Sequence, residues 1–180
     1  SSDWSSDVCS SDLTGARMAL LGSSPIPEEK SEKPSGRQIS EQLKKFADMG
    51  LKADYYSCDV TSPEDVFTVV NRIRKEMGRV TCVIHGAGLN VPRPANRVSI
   101  DEAVSEVSPK LMGALNLMNA LSDDPPRMFS ALTSVIGVTG MAGNAWYGFS
   151  NEALGLLLRC YSQSNTQTQT LAVAYSIWRD

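Results

Sequence analysis

Four side chains in this sequence could act together on one oxygen atom: Lys110, Ser134, Tyr147 and Asn151. Ser134 ends an apolar run, 128–135, and Tyr147 follows thirteen residues later, just inside a helical stretch. Asn151 is four residues beyond Tyr147, so both project from one helix face. Lys110 stands 37 residues before Tyr147, where another helical stretch begins. A tyrosine hydroxyl, with a pKa near about 10, is a poor proton donor at neutral pH. A nearby ammonium favours the ionised form and brings it toward the working range. A serine hydroxyl can donate to the same oxygen, and an Asn side chain can hold a water that returns protons. Such a set suits the stabilisation and protonation of a developing alkoxide. Taken singly, each residue has an ordinary reading: a packed aromatic, a strand-end Ser, a solvated Lys, a surface Asn.

These groups must be carried by a scaffold, and the sequence alternates short apolar runs with amphipathic helices. ARMALLG (16–22), LKADYYSCDV (51–60), VTCVIHGAG (80–88), MFSALTSV (128–135) and TLAVAYSIW (170–178) read as strands. Ile39, Leu43 and Phe46 recur at helical spacing, with Gly50 as a stop. Ser62, Pro63 and Asp65 predict a capped helix start, followed by Val66, Val69, Val70, Ile73 and Met77 on one face. Ser108-Pro109 is expected to open a further helix with Leu111, Leu115 and Met118 inside, and 145–162 another. Strand–helix alternation with nearly continuous apolar strands predicts a parallel sheet covered on both faces, a doubly wound, Rossmann-like α/β fold. Ligands of that architecture bind beyond the strand C-termini, which here means Asp59, the turn 85–90 and the segment 133–147.

Composition limits the alternatives. The chain has 180 residues, 42% of them hydrophobic, with no apolar run of 18 that could span a membrane. No basic region followed by an apolar stretch marks a secretory signal. A net charge of −3 argues against electrostatic capture of nucleic acid. The four Cys show no metal-ligand spacing, and with a single His a zinc site would need unusual ligands, so no metal is expected. Free thiols at Cys58 and Cys82 fit a reducing, cytoplasmic setting. Residues 1–13, SSDWSSDVCSSDL, have no periodicity and resemble a translated adapter oligonucleotide, so they are expected to be a non-native or disordered leader. Without their three Asp, the remainder carries 17 basic and 17 acidic side chains.

The order PKLMGALNL (109–117), LTSVIGVTGMAGNAWYGFSNEAL (132–154) resembles the ketoreductase domain of type I polyketide and polyunsaturated fatty-acid synthases, within the short-chain dehydrogenase/reductase superfamily. Ordinary members of that superfamily have Tyr-x-x-x-Lys; the synthase ketoreductases exchange the positions, with Asn four after Tyr and Lys upstream. This chain has YGFSN (147–151) and Lys110. VIHGAG (83–88), CDV (58–60) and AYSIW (174–178) resemble further motifs of that family, and the likeness spans 14–180. It implies NADPH-dependent reduction of a β-ketoacyl thioester on an acyl carrier protein, with other synthase domains as neighbours. Tyr147 is then the proton donor, Ser134 orients the carbonyl, Lys110 tunes the Tyr, and Asn151 supports the relay. Ser23, Ser24, Asp59, Val60, Gly86, Ala87 and Gly88 are expected at the cofactor. His85, inside the VIHGAG motif, is implied to position backbone rather than act as a base.

The sequence also departs from the family. No glycine cluster precedes ARMALLG, which corresponds to the family's second strand, so the fold is expected to be truncated, lacking the first, central strand and its phosphate-binding turn. Gly22-Ser23-Ser24 stands where Gly-Arg usually meets the 2′-phosphate, and no acid replaces the Arg to favour NAD. Leu89-Asn90-Val91 and Thr139 occupy the positions that mark product stereochemistry. Two other readings remain: a non-catalytic ketoreductase segment with a scaffold role, and a stand-alone short-chain reductase of a small ketone.

Overall fold

The computed structural model describes residues 15–25 and 34–176; the leader 1–13 and Trp178 lie outside the described residues. The chain divides into two compact units, Ser1–Asp59 and Val60–Asp180.

In the first unit, β1 (Arg17–Gly22) and β2 (Lys52–Ser57) run parallel, Arg17 opposite Lys52 and Gly22 opposite Ser57. The crossover helix α1 (Pro34–Asp48) packs on β2, seating Phe46 in the core. The chain leaves the helix through Gly50 at φ +77°, a left-handed conformation that costs glycine little.

The second unit begins with α2 (Pro63–Met77). Its start follows the expected chemistry: the Ser62 hydroxyl accepts from the Asp65 N–H, and Pro63 takes the first turn, where no donor is needed. Val66, Val69, Val70 and Ile73 are its buried face. After it come β3 (Cys82–His85), a short 3-10 turn (Ala95–Arg97) and α3 (Ile100–Ala120). Next are β4 (Met128–Ser134), the single-turn helix α4 (Ile136–Thr139), α5 (Ala145–Ser164) and β5 (Gln169–Tyr175). β4 is the centre of a parallel three-stranded sheet, between β3 and β5. Phe129 and Ala131 of β4 are fully buried, and α5 packs over β4 and β5 with Leu154 and Leu158.

Three expectations change. The strands form two parallel sheets, β1-β2 and β3-β4-β5, with no hydrogen-bonded neighbours between them among the described residues. Apolar cover on both faces holds at β4 only: Cys82 and Ile84 of β3 and Leu171 of β5 are exposed. Finally, α3 starts at Ile100, not at Pro109. Ser99 and Glu102 form a reciprocal capping box that sets this earlier start. Pro109 therefore sits inside the helix, where it removes the bond to the Ser105 carbonyl. Burial of Ala103, Ala114, Leu117 and Met118 along the same helix offsets that loss.

Candidate active site

Lys110, Ser134, Tyr147 and Asn151 all belong to the second unit. Lys110 projects from α3 and is only 5% exposed. Its ammonium donates to the Leu132 carbonyl at 3.0 Å, two residues before Ser134 on β4, and lies 6.0 Å from the centre of the Tyr147 ring. Burial pushes its pKa down to about 8. Gly88 makes room for it: a Cβ there would come 2.9 Å from Lys110 Cε.

Ser134 is buried at the end of β4, its Oγ accepting from the Ile136 N–H at 3.2 Å, which leaves its own proton to donate elsewhere. Tyr147 is half-buried in the first turn of α5. Its carbonyl accepts from Asn151 Nδ2 at 2.7 Å and from Ser150 Oγ at 3.0 Å. Asn151, 2% exposed, keeps its Oδ1 buried and without a partner in the protein. Leaving a buried acceptor unpaired costs about 1–3 kcal/mol, so such an atom calls for a purpose. Contacts thus join Lys110 to Tyr147 and Tyr147 to Asn151, while Ser134 shares the strand end to which Lys110 is tied.

His85 is 3% exposed at the end of β3, and its Nε2–H donates to the Lys110 carbonyl at 2.9 Å. Burial lowers its pKa to about 4, partly opposed by that hydrogen bond and assisted by the Lys110 charge. Neutral and engaged with backbone, it holds the turn of α3 that carries Lys110. Gly113 faces the same contact, where a Cβ would lie 3.0 Å from both His85 Cε1 and Val60 Cγ2. Gly113→Ala should therefore overpack the site at about 1–3 kcal/mol. Higher helix propensity returns up to about 1 kcal/mol. The expected net result is a melting temperature lower by about 2–4 °C per kcal/mol lost, measured by thermal unfolding.

The residues expected at a nicotinamide cofactor are divided. Ser23, Ser24 and Asp59 lie in the first unit; Val60, Gly86, Ala87 and Gly88 lie in the second. Around Ser23 and Ser24 the turn is shaped by Tyr55, whose hydroxyl donates to the Ser24 carbonyl at 2.8 Å. A Cβ on Gly22 would meet that hydroxyl at 2.7 Å, which explains the glycine. Burial raises the Tyr55 pKa, keeping it a donor. In the second unit the small residues Gly86, Ala87 and Gly88 follow β3, with Lys110 tight against Gly88; in the first, a turn bearing two hydroxyls follows β1. The second unit also supplies the partnerless Asn151 Oδ1. No cluster of metal-ligating side chains occurs among the described residues, and no described helix is long and apolar enough to cross a membrane.

Several supporting groups had no clear sequence signal. Asn116 donates to the Val60 carbonyl at 2.9 Å and so anchors the segment after β2 to α3. Ser150 adds the second bond to the Tyr147 carbonyl, a role its position beside Asn151 could have suggested. Glu106, four residues before Lys110, is buried although a carboxylate there reads as solvated.

The family described as the KR domain matches residues 13–180. The polyketide synthase PksN of Bacillus subtilis (strain 168) is 28% identical over 169 residues, covering 92% of this chain but 3% of PksN. A ketoreductase domain from the bacillaene assembly line superposes with a TM-score of 0.80 at 23% identity, over 96% of this chain and 41% of that one. An alcohol dehydrogenase from the archaeon Thermococcus sibiricus, complexed with 5-hydroxy-NADP, gives a TM-score of 0.74 at 17% identity, over 88% and 64% respectively.

Proposed function

The chain belongs to the KR-domain family, and on that premise we propose that it reduces a β-ketoacyl thioester, carried on an acyl carrier protein, to the β-hydroxyacyl thioester. The observation that carries this reading is the buried Lys110 ammonium against the Tyr147 ring, with Asn151 one turn further along the same helix. NADPH, held by the small residues Gly86, Ala87 and Gly88 after β3, would supply the hydride to the ketone carbon. The protein does the rest. Ser134 donates to the carbonyl oxygen and orients it, and Tyr147 delivers the proton to that oxygen. The Lys110 ammonium stabilises the negative charge left on the Tyr147 oxygen. Asn151 Oδ1 holds a water through which the proton is replaced.

NADPH is preferred to NADH because Ser23 and Ser24 offer hydroxyl donors and no acid stands beside them to claim a ribose hydroxyl. The solved relative bound to 5-hydroxy-NADP supports the cofactor class. Neighbouring synthase domains are supported by the likeness to PksN, of which this chain matches 3%.

The test is turnover of a β-ketoacyl thioester of N-acetylcysteamine by the native full-length protein, with NADPH and with NADH. NADPH consumption with a β-hydroxyacyl product is expected, falling above about pH 8 as the Lys110 ammonium is lost. No turnover with either cofactor would return the chain to a scaffold role.

A further inference from the structure

Glu102, Glu106 and Lys110 are spaced four apart, so they form one stripe along α3. The segment that follows β3 lies along this stripe in reverse order. Gly88 faces Lys110, with room for no Cβ between them. The Val91 N–H donates to Glu106 Oε1 at 3.3 Å. The Arg93 guanidinium pairs with Glu102, the same carboxylate that closes the capping box with Ser99. On its other side the segment reaches the turn before α5, where the Arg93 N–H donates to the Gly143 carbonyl at 2.7 Å. Gly143 has φ +80°, a conformation few other residues would hold, and Tyr147 follows four residues later.

We propose that Glu106 and Arg93 are positioning residues that fasten segment 88–93 between α3 and the turn before α5, holding Lys110 and Tyr147 in register. Glu106 is the inner fastener, 4% exposed, and Arg93 is the outer one. The two arms of the site come from different elements, and this segment makes hydrogen bonds to both the Glu106 side chain of α3 and the turn leading into Tyr147. This rests on the ketoreductase reading for its effect on turnover, but the fastening itself does not.

The experiment compares Glu106→Leu, Glu106→Gln, Arg93→Lys and Arg93→Glu in the native full-length protein, by amide hydrogen exchange across 88–93 and 140–147 and by kcat and KM. Leu keeps the buried volume but accepts no hydrogen bond, so exchange at Val91 and Arg93 should quicken at least about tenfold, through local opening. In the same variant kcat should fall about tenfold or more, as the two arms lose alignment, with KM for the cofactor unchanged. Gln retains an acceptor for Val91 and should restore both. Arg93→Glu should lose turnover in the same way, whereas Arg93→Lys, which keeps a cation for Glu102 and leaves its capping box intact, should retain it. If Glu106→Leu does not fold, the two Arg93 variants decide. Unchanged exchange in Glu106→Leu, unchanged kcat, or equal loss in Arg93→Lys and Arg93→Glu would overturn the proposal. If no variant and not even the unmutated protein reduces a ketone, the proposed reaction fails, and the exchange rates alone judge the fastening.

Discussion

Tyr147→Phe should lower kcat for ketone reduction by about 10²–10⁴-fold, the contribution expected of a positioned general acid. The substitution isolates one atom. Phe keeps the ring that faces the Lys110 ammonium and keeps the backbone carbonyl, which accepts from Asn151 and Ser150 whatever the side chain. The fold should therefore be unaffected, with stability within about 0.5 kcal/mol of the unmodified protein. Cofactor affinity should also be unchanged, since only the proton donor is gone. Loss of kcat without loss of binding or melting temperature is the signature of an interaction made in the transition state. A variant that retains kcat within a few-fold would remove Tyr147 from the chemistry, and with it the assignment of Lys110 and Asn151 as its supports.

Much of the fold is legible because it depends on local pattern. The Ser62-Pro63-Asp65 start of α2 and its apolar face follow from neighbours three and four residues apart, and strand β4 from a short apolar run bounded by turns. The start of α3 was also written locally, in Ser99 and Glu102, but Ser108-Pro109 offers a competing start, and a proline weighs heavily against a helix interior. Sheet partnership is a different matter, since strand pairing depends on residues far apart in sequence. Nothing local indicates that β1-β2 and β3-β4-β5 would be hydrogen-bonded as two sheets among the described residues. At the site, residue types and spacing pick out Lys110, Tyr147 and Asn151, yet not their burial. A lysine after a proline reads as solvated until His85 and Gly88 are seen to enclose it. Glu106 is missed for the same reason: its partner, the Val91 N–H, is fifteen residues away in sequence and lies in an irregular segment.

Burial of Lys110 makes a second and opposite pair of effects: Lys110→Met should cost activity while leaving the folded state as stable or more so at neutral pH. Lowering the lysine pKa from 10.5 to about 8 by desolvation corresponds to about 3 kcal/mol spent on keeping the ammonium buried. Removing the side chain also removes its hydrogen bond to the Leu132 carbonyl, worth about 1–3 kcal/mol when the acceptor is left behind. The desolvation cost is at least as large, so the variant should melt at the same temperature or higher at pH 7. Turnover should nonetheless fall by about 10²–10³-fold, the usual loss on removing a charge that stabilises the transition state. The pH dependence separates this from ordinary core repacking. Below pH 8 both folded and unfolded chains carry the proton, and the folded chain bears the whole cost. Between pH 8 and 10.5 the folded chain releases its proton first, the unfolded chain binds more protons, and stability rises with pH. Relative to Lys110→Met, the unmodified protein should therefore gain about 2–3 kcal/mol between pH 7 and pH 10, measured by denaturant unfolding at each pH. Other titrating groups contribute equally to both proteins and cancel in the difference. A constant difference across that range would mean that the ammonium is not buried at a cost, and that the lysine acts, if it acts, as an ordinary solvated charge.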